Sequence, residues 1–203
     1  MGQPTWDERY HGADYVYGTE PNDFLRSRIG ELPPGRILCL AEGEGRNAVF
    51  LAEHGFTVTA VDQSSVGLAK AELLAAQRGV RIETVVADLA DFAINPQSWD
   101  GIVSIFAHTP PPVRRHIHSE VVSGLKPGGI LLLEAYRPEQ LQYKTGGPPV
   151  ADMMMSLELL RAELFGLEFD YAAETVRDIN EGRLHTGQGA VVQLLAHKPE
   201  LAH

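Results

Sequence analysis

The stretch Arg36–Asn47, reading RILCLAEGEGRN, with an apolar run after it that closes on Asp62, constrains this chain more than any other part of it. An apolar run meets glycines at 43 and 45, and a helical pattern starts directly after them. A buried strand, a glycine turn and a helix start, in that order, place backbone amides at the carboxyl edge of an open α/β sheet. An acid about 20 residues further on then reaches ribose hydroxyls. The pattern fits an adenosine-containing cofactor.

The spacing narrows the choice of cofactor. A dinucleotide fingerprint, G-x-G-x-x-G, has its third glycine one position beyond Gly45 and rests a pyrophosphate on the helix N-terminus. Here the turn is Ala41-x-Gly43-x-Gly45 and carries Glu42 and Glu44, two carboxylates that would repel a pyrophosphate in a partly dry site. They suit a ligand with a sulfonium, an ammonium and no phosphate. The turn therefore favours S-adenosyl-L-methionine over NAD, and the absence of G-K-[ST] after the glycines excludes a Walker loop.

The chain of 203 residues is long enough to bury a core without staples and is expected to form one domain over 1–203, with N-terminal lid helices in 1–34 and the core in 35–203. A formal net charge of -10 argues against nucleic acid or an anionic membrane as partner and leaves a small-molecule substrate. The one cysteine, Cys39, permits no internal disulfide and suits a reducing cytoplasm. Neither a signal peptide nor a membrane-spanning run is evident, and Trp6 stands where a myristoylation signal after Gly2 needs Ser or Thr. No feature indicates an oligomeric state.

Apolar runs alternate with helical patterns from Arg36 onward, which predicts a mostly parallel sheet covered on both faces. Strands are expected at Arg36–Leu40, Phe56–Val61, Val80–Ala87, Asp100–Phe106 and Ile130–Ala135. A helix should run from Gly45 to about His54 with Gly55 at its end. The next, capped by Ser64 or Ser65 and ended by Gly79, has Val66, Ala69, Leu73 and Ala76 on one face. Pro110–Pro112 should open a helix carrying Val113, Ile117 and Val121, and Asp152 or Ser156 should cap one with Leu157, Leu160 and Leu164. Two late strands, about Phe169–Arg177 and Gly189–His197, have no helix between them and must form an antiparallel hairpin. The expected fold is α/β, a Rossmann-like three-layer sandwich on seven strands.

Several segments in this order resemble class I S-adenosylmethionine-dependent methyltransferases, and more narrowly their tellurite-resistance TehB-like and thiopurine-methyltransferase-like branch. WDERY at 6–10 with YGTEPN at 17–22 resembles the branch's lid, and ILCLAEGEGRN its first motif. VTAVDQS ends in the ribose acid Asp62 followed by Gln63, VVADLADF supplies Asp88, and LKPGGILLLEAY is the late strand motif; EGRLHTG at 181–187 resembles the branch's tail. The chain departs from the family at Cys39, where an aspartate usually orders the glycine loop, at Ala41 in place of a glycine, and at Glu42 in place of a small residue. A methyl group at Ala41 requires a backbone angle that a non-glycine residue can adopt, and Glu42 is placed to meet the cofactor's ammonium.

The expected cofactor residues are Trp6, Tyr10 and Tyr17 in the lid, Glu42, Gly43, Gly45, Arg46 and Asn47 in the turn, Asp62 with Gln63, and Asp88 with Leu89. Asp88 would accept from the adenine amino group and Leu89 would touch the ring. Arg46 would neutralise the cofactor's carboxylate, and the lid aromatics would face the sulfonium. His108 and, second to it, His185 are the candidate catalytic bases, since a near-neutral imidazole can take a proton from a thiol or hydroxyl. His116 and His118, two apart on a helix, diverge, form no metal site and read as solvated. Met153–Met155 read as apolar packing at the pocket rim. A nicotinamide dehydrogenase and a non-catalytic module of the same fold remain open as other classes.

Overall fold

A computed structural model describes residues 5–183 and 185–200. Residues 1–4 of the expected lid, Gly2 with them, and Leu184 of the tail motif lie outside the described residues, as do residues 201–203.

The sheet has seven strands: β1 (Arg36–Leu40), β2 (Thr57–Asp62), β3 (Glu83–Val86), β4 (Trp99–Ile105), β5 (Leu125–Tyr136), β6 (Glu168–Asn180) and β7 (Thr186–His197), in the spatial order β3-β2-β1-β4-β5-β7-β6. The first five pair in parallel, and β7 runs antiparallel to both β5 and β6. The order reverses between β1 and β4, and ligands bind open sheets at the carboxyl ends of strands flanking such a switch.

Alternation along each central strand builds two cores. Ile37 and Cys39 face α2 (Asp23–Arg28), α3 (Arg46–Glu53) and α4 (Ser65–Gln77), through Leu25, Leu51 and Leu68. Leu38 and Leu40 face the side where Ile117 and Val121 of α5 (Pro111–Gly124) and Leu160 of α6 (Leu157–Glu163) pack. This is the three-layer sandwich read from the sequence. A short helix, α1 (Trp6–Tyr10), precedes the sheet, held by a Thr5–Glu8 capping box.

Helix α4 differs from expectation in the face it buries. Its buried residues are Gly67, Leu68, Ala71, Leu74 and Ala75, whereas Leu73 is 55% exposed and Ala69 and Ala76 face solvent. The cause is a close crossing over the glycine turn: a Cβ placed on Gly45 would lie 2.4 Å from that of Ala71, and one on Gly67 would lie 3.0 Å from the carbonyl oxygen of Gly43. Small side chains must line such a contact, and they set the rotation of the helix against the plain hydrophobic count. Strand β3 is shorter than expected, and both hairpin strands are longer. Ser64 is the cap of α4 and Ser156 that of α6, each accepting from an amide three residues on.

Candidate active site

The turn after β1 is strained in an ordered way. Ala41, Gly43 and Gly45 have φ of 49°, 61° and 88°, so the missing first glycine is met by an alanine held in the left-handed region. Asp62, at the end of β2, fixes the turn: its Oδ2 accepts from the Gly43 amide and its Oδ1 from the Ser64 amide, both at 2.8 Å. Burial raises the Asp62 carboxyl above its ordinary value despite these bonds. Each oxygen keeps further lone-pair capacity for a ligand hydroxyl.

Glu42 occupies the start of α3. The cap residue there is Gly45, which has no side chain to offer, and Glu42 Oε1 accepts from the amides of Asn47 and Ala48 at 3.0 and 2.8 Å instead. Burial pushes its carboxyl up to about 7, with the backbone bonds and Arg46 pulling the other way. Glu42 thus orders the loop where the family's aspartate is absent, while Cys39 points into the apolar core, its thiol raised by burial. Glu44, the other acid of the turn, accepts from the Val16 amide at 2.8 Å and pairs with Lys70.

Lys70 ties the segment before the sheet to the turn. Besides Glu44, its ammonium donates to the carbonyls of Gly12 and Asp14 at 3.0 and 2.7 Å. Trp6 stacks on Tyr10 at 5.5 Å, Tyr10 meets the edge of Tyr17 at 6.3 Å, and Tyr17 lies 4.6 Å from the His185 ring. Tyr10 lies over the turn, its hydroxyl 2.7 Å from where a Cβ on Gly43 would stand.

Arg46 pairs with Glu181 at 2.6 Å and Asn47 accepts from the Asn22 amide at 2.9 Å. Both side chains therefore tie the segment before β1 and the hairpin to α3, and Arg46 Nη1 is buried without a partner among the described residues. Burial opposes ionisation of Glu181, but Arg46 and Arg177 outweigh it and hold the carboxyl below its usual range.

The two candidate bases differ. His108 Nε2 accepts from the Tyr136 amide at 2.9 Å, and burial lowers its pKa to about 4. With that lone pair used, His108 braces the end of β4 against β5 and has none to offer an acceptor's proton. His185 is buried among Tyr17, Phe106 and Tyr136, its Nδ1 has no partner, and burial followed by the charge of Arg46 lowers it to about 3. It is a neutral imidazole at physiological pH. His116 Nε2 donates to the Phe92 carbonyl oxygen at 3.2 Å. His118 is buried, not solvated, and Glu163 bonds its Nδ1 at 2.7 Å along with Arg114.

A cavity of about 450 Å³ opens at the switch between β1 and β4. It gathers Trp6, Tyr10 and Tyr17, Glu42, Arg46, Asn47, Asp62, Gln63, Asp88, Leu89, and both His108 and His185. Gly43 and Gly45 support it from beneath rather than line it. Asp88 is exposed, with Oδ1 accepting from the Ala90 amide at 2.9 Å, and Leu89 is buried. Of the three methionines only Met153 reaches the cavity; Met154 and Met155 are in the core. Arg9, Phe106, Thr109 and the loop 146–149 also line it and were not read from the sequence. Phe106, with φ of 53°, carries no sequence signal, since the strain arises only where β4 turns.

Residues 37–129 match a protein-family model described as a methyltransferase domain. The matched segment is just under half of the chain. It begins in β1 and ends in β5, so the segment before β1 and the β6–β7 hairpin, which bring Tyr17, Glu181 and His185, lie outside the matched part. The chain is 31% identical over 115 residues to an uncharacterized methyltransferase, YbaJ, of Bacillus subtilis (strain 168), a stretch covering 54% of this chain and 44% of that protein. It thus spans less than half the length of this curated relative. Its fold is similar to a structure from work on conversion of a disulfide bond into a thioacetal group during echinomycin biosynthesis, with a TM-score of 0.76, 18% identity, and coverage of 97% of this chain and 89% of that one. TehB from Haemophilus influenzae gives 0.69 at 20% identity, over 87% of this chain and 61% of that one. The seven-stranded sheet thus has the Rossmann-like fold of these proteins.

Proposed function

We propose that the protein is an S-adenosylmethionine-dependent methyltransferase acting on a small acceptor, with residues 1–34 as lid over a core of 35–203. The observation that carries this reading is the carboxylate of Glu42 on the first amides of α3. That helix end is where a dinucleotide fold seats its pyrophosphate, and an acid bonded there takes the amides a phosphate would need and, when ionised beside a cation, favours a cationic ligand. The turn's positive φ angles and the adjoining cavity fit an adenosine with a sulfonium side chain.

When bound, the cofactor supplies an electrophilic methyl group on a sulfonium. Asp62 takes the ribose hydroxyls, with Gln63 beside it, and Asp88 with Leu89 takes the adenine. Trp6, Tyr10 and Tyr17 close over the ligand and exclude water, so catalysis comes chiefly from orientation and desolvation. His185 bonds the acceptor as a neutral partner rather than acting as a proton store, and His108 supports the wall behind it. The tellurite-resistance-like motifs and the likeness to TehB favour a thiol or a metalloid oxyanion as acceptor, and the net charge of -10 favours a small molecule over nucleic acid in a cytoplasmic setting.

Calorimetric titration with S-adenosylmethionine, S-adenosylhomocysteine and NADH tests the reading. The first two should bind wild type, NADH should not, and Asp62→Ala should weaken binding at least about tenfold, as expected for losing charge-assisted hydrogen bonds. Failure of both adenosyl ligands to bind overturns the proposal. Binding without turnover on thiol, selenite or tellurite would favour a non-catalytic module.

A further inference from the structure

Two arginines line the cavity, and they differ in their partners. Arg46 is held by the buried Glu181 at 2.6 Å. Arg9, in the lid helix α1, has no carboxylate partner among the described residues: its Nη1 donates to the Tyr17 hydroxyl at 3.1 Å and its guanidinium lies 4.5 Å from the Trp6 ring centroid. A guanidinium carries five N–H donors in a fork suited to a carboxylate. Arg9 lines the cavity, and among the described residues one hydrogen bond, to Tyr17, and no ion pair draws on its guanidinium.

Charge and direction both assign it a ligand. A methionyl side chain ends in an ammonium and a carboxylate. The cavity offers acids at Glu42, Asp62 and Asp88, and at Glu44, which Lys70 pairs, but its other cation is already neutralised. Asp62 and Asp88 follow β2 and β3, so the nucleoside end lies there and the methionyl end runs the opposite way, over Gly43 toward β4. Arg9 stands on that side. Its neighbour Tyr10 lies on Gly43, and its charge acts on His185.

We infer that Arg9 anchors the α-carboxylate of the cofactor's methionyl end, closing the lid onto the ligand by an ion pair; this rests on the S-adenosylmethionine reading. Tyr17 positions the guanidinium through its hydroxyl. The family's usual expectation, that the arginine of the glycine turn does this, is displaced by the Arg46–Glu181 pair. A lid cation makes closure depend on the ligand, because the carboxylate then bridges α1 to the rest of the cavity.

The test compares S-adenosylhomocysteine with its decarboxylated analogue by equilibrium titration, on wild type, Arg9→Gln and Tyr17→Phe. Wild type should prefer the carboxylate-bearing ligand by about ten- to a hundredfold, the range of a charge-assisted, partly buried pair. Arg9→Gln should lose that preference while binding the analogue nearly as wild type does, and Tyr17→Phe should lose part of it. Equal weakening toward both ligands would mean that Arg9 only packs the lid and would overturn the inference. Preference surviving in Arg9→Gln would place the carboxylate on Arg46 Nη1, and a wild type indifferent to the carboxylate would also overturn it. Binding of neither ligand by wild type would instead defeat the S-adenosylmethionine reading itself.

Discussion

At the scale of single residues, Glu42 shows how one substitution moves a function to another side chain. Its carboxyl is raised from an ordinary 4.5 to about 7 by burial. A raised carboxyl stabilises the fold most below its unfolded pKa, and that contribution is lost as pH rises through the folded value. Between pH 4.5 and about 7.5 the ligand-free protein should therefore lose about 2 to 3 kcal/mol through this group. Glu42→Gln keeps an oxygen for the Asn47 and Ala48 amides and removes the titration. Melting temperatures measured from pH 5 to 8 should fall for wild type relative to Glu42→Gln; parallel curves would rule the effect out. His108 and His185 act in the opposite sense. Their pKa values, lowered to about 4 and about 3, protect the fold above 6.5 and remove stability as pH falls below it. Comparison with the glutamine variant separates the two. The sequence pointed to Glu42 but not to its bonds, because the helix end it reaches lies five and six positions further along the chain.

At the scale of elements, α4 and the glycine turn decide each other's packing. Gly45→Ala should cost about 2 to 4 kcal/mol, combining a left-handed backbone angle with overpacking against Ala71, read as a lower urea midpoint. On α4 itself, Leu74→Ala should cost about 2 to 4 kcal/mol and Leu73→Ala within about 0.5 kcal/mol. Equal effects at 73 and 74 would contradict the observed face. The pattern Val66, Ala69, Leu73, Ala76 is regular in the sequence, and hydrophobic spacing alone selects it. A backbone-to-backbone approach at Gly67 and Ala71 outweighs it, and the partner in that approach lies on another segment. The elements around it were nonetheless legible: β1 has the expected ends, and Ser64, Gly55 and Gly79 bound their helices as glycine and serine should.

At the scale of the whole molecule, the cavity depends on a buried polar network that joins distant segments. Glu134, in the middle of the apolar run of β5 and wholly buried, accepts from Asn22 before α2, Arg177 of β6 and Gln193 of β7 at 2.5 to 2.9 Å. Asn22 and Arg177 also reach Glu181, which holds Arg46. Truncating Glu134 to alanine leaves buried donors and the Arg177 charge short of partners, and should cost about 3 to 5 kcal/mol in urea unfolding. A loss below about 1 kcal/mol would show the network to be incidental to the fold. The sequence alone determined the order of the elements, a glycine turn after β1, Asp62 at the end of β2 and Asp88 just past β3, because these depend on local spacing and on which strand ends face one edge. Only the tertiary structure decided which side chains remain available to a ligand. Glu44, Arg46, His108 and Glu134 are satisfied by partners 26 to 135 positions away, and no local pattern records contacts made across such distances.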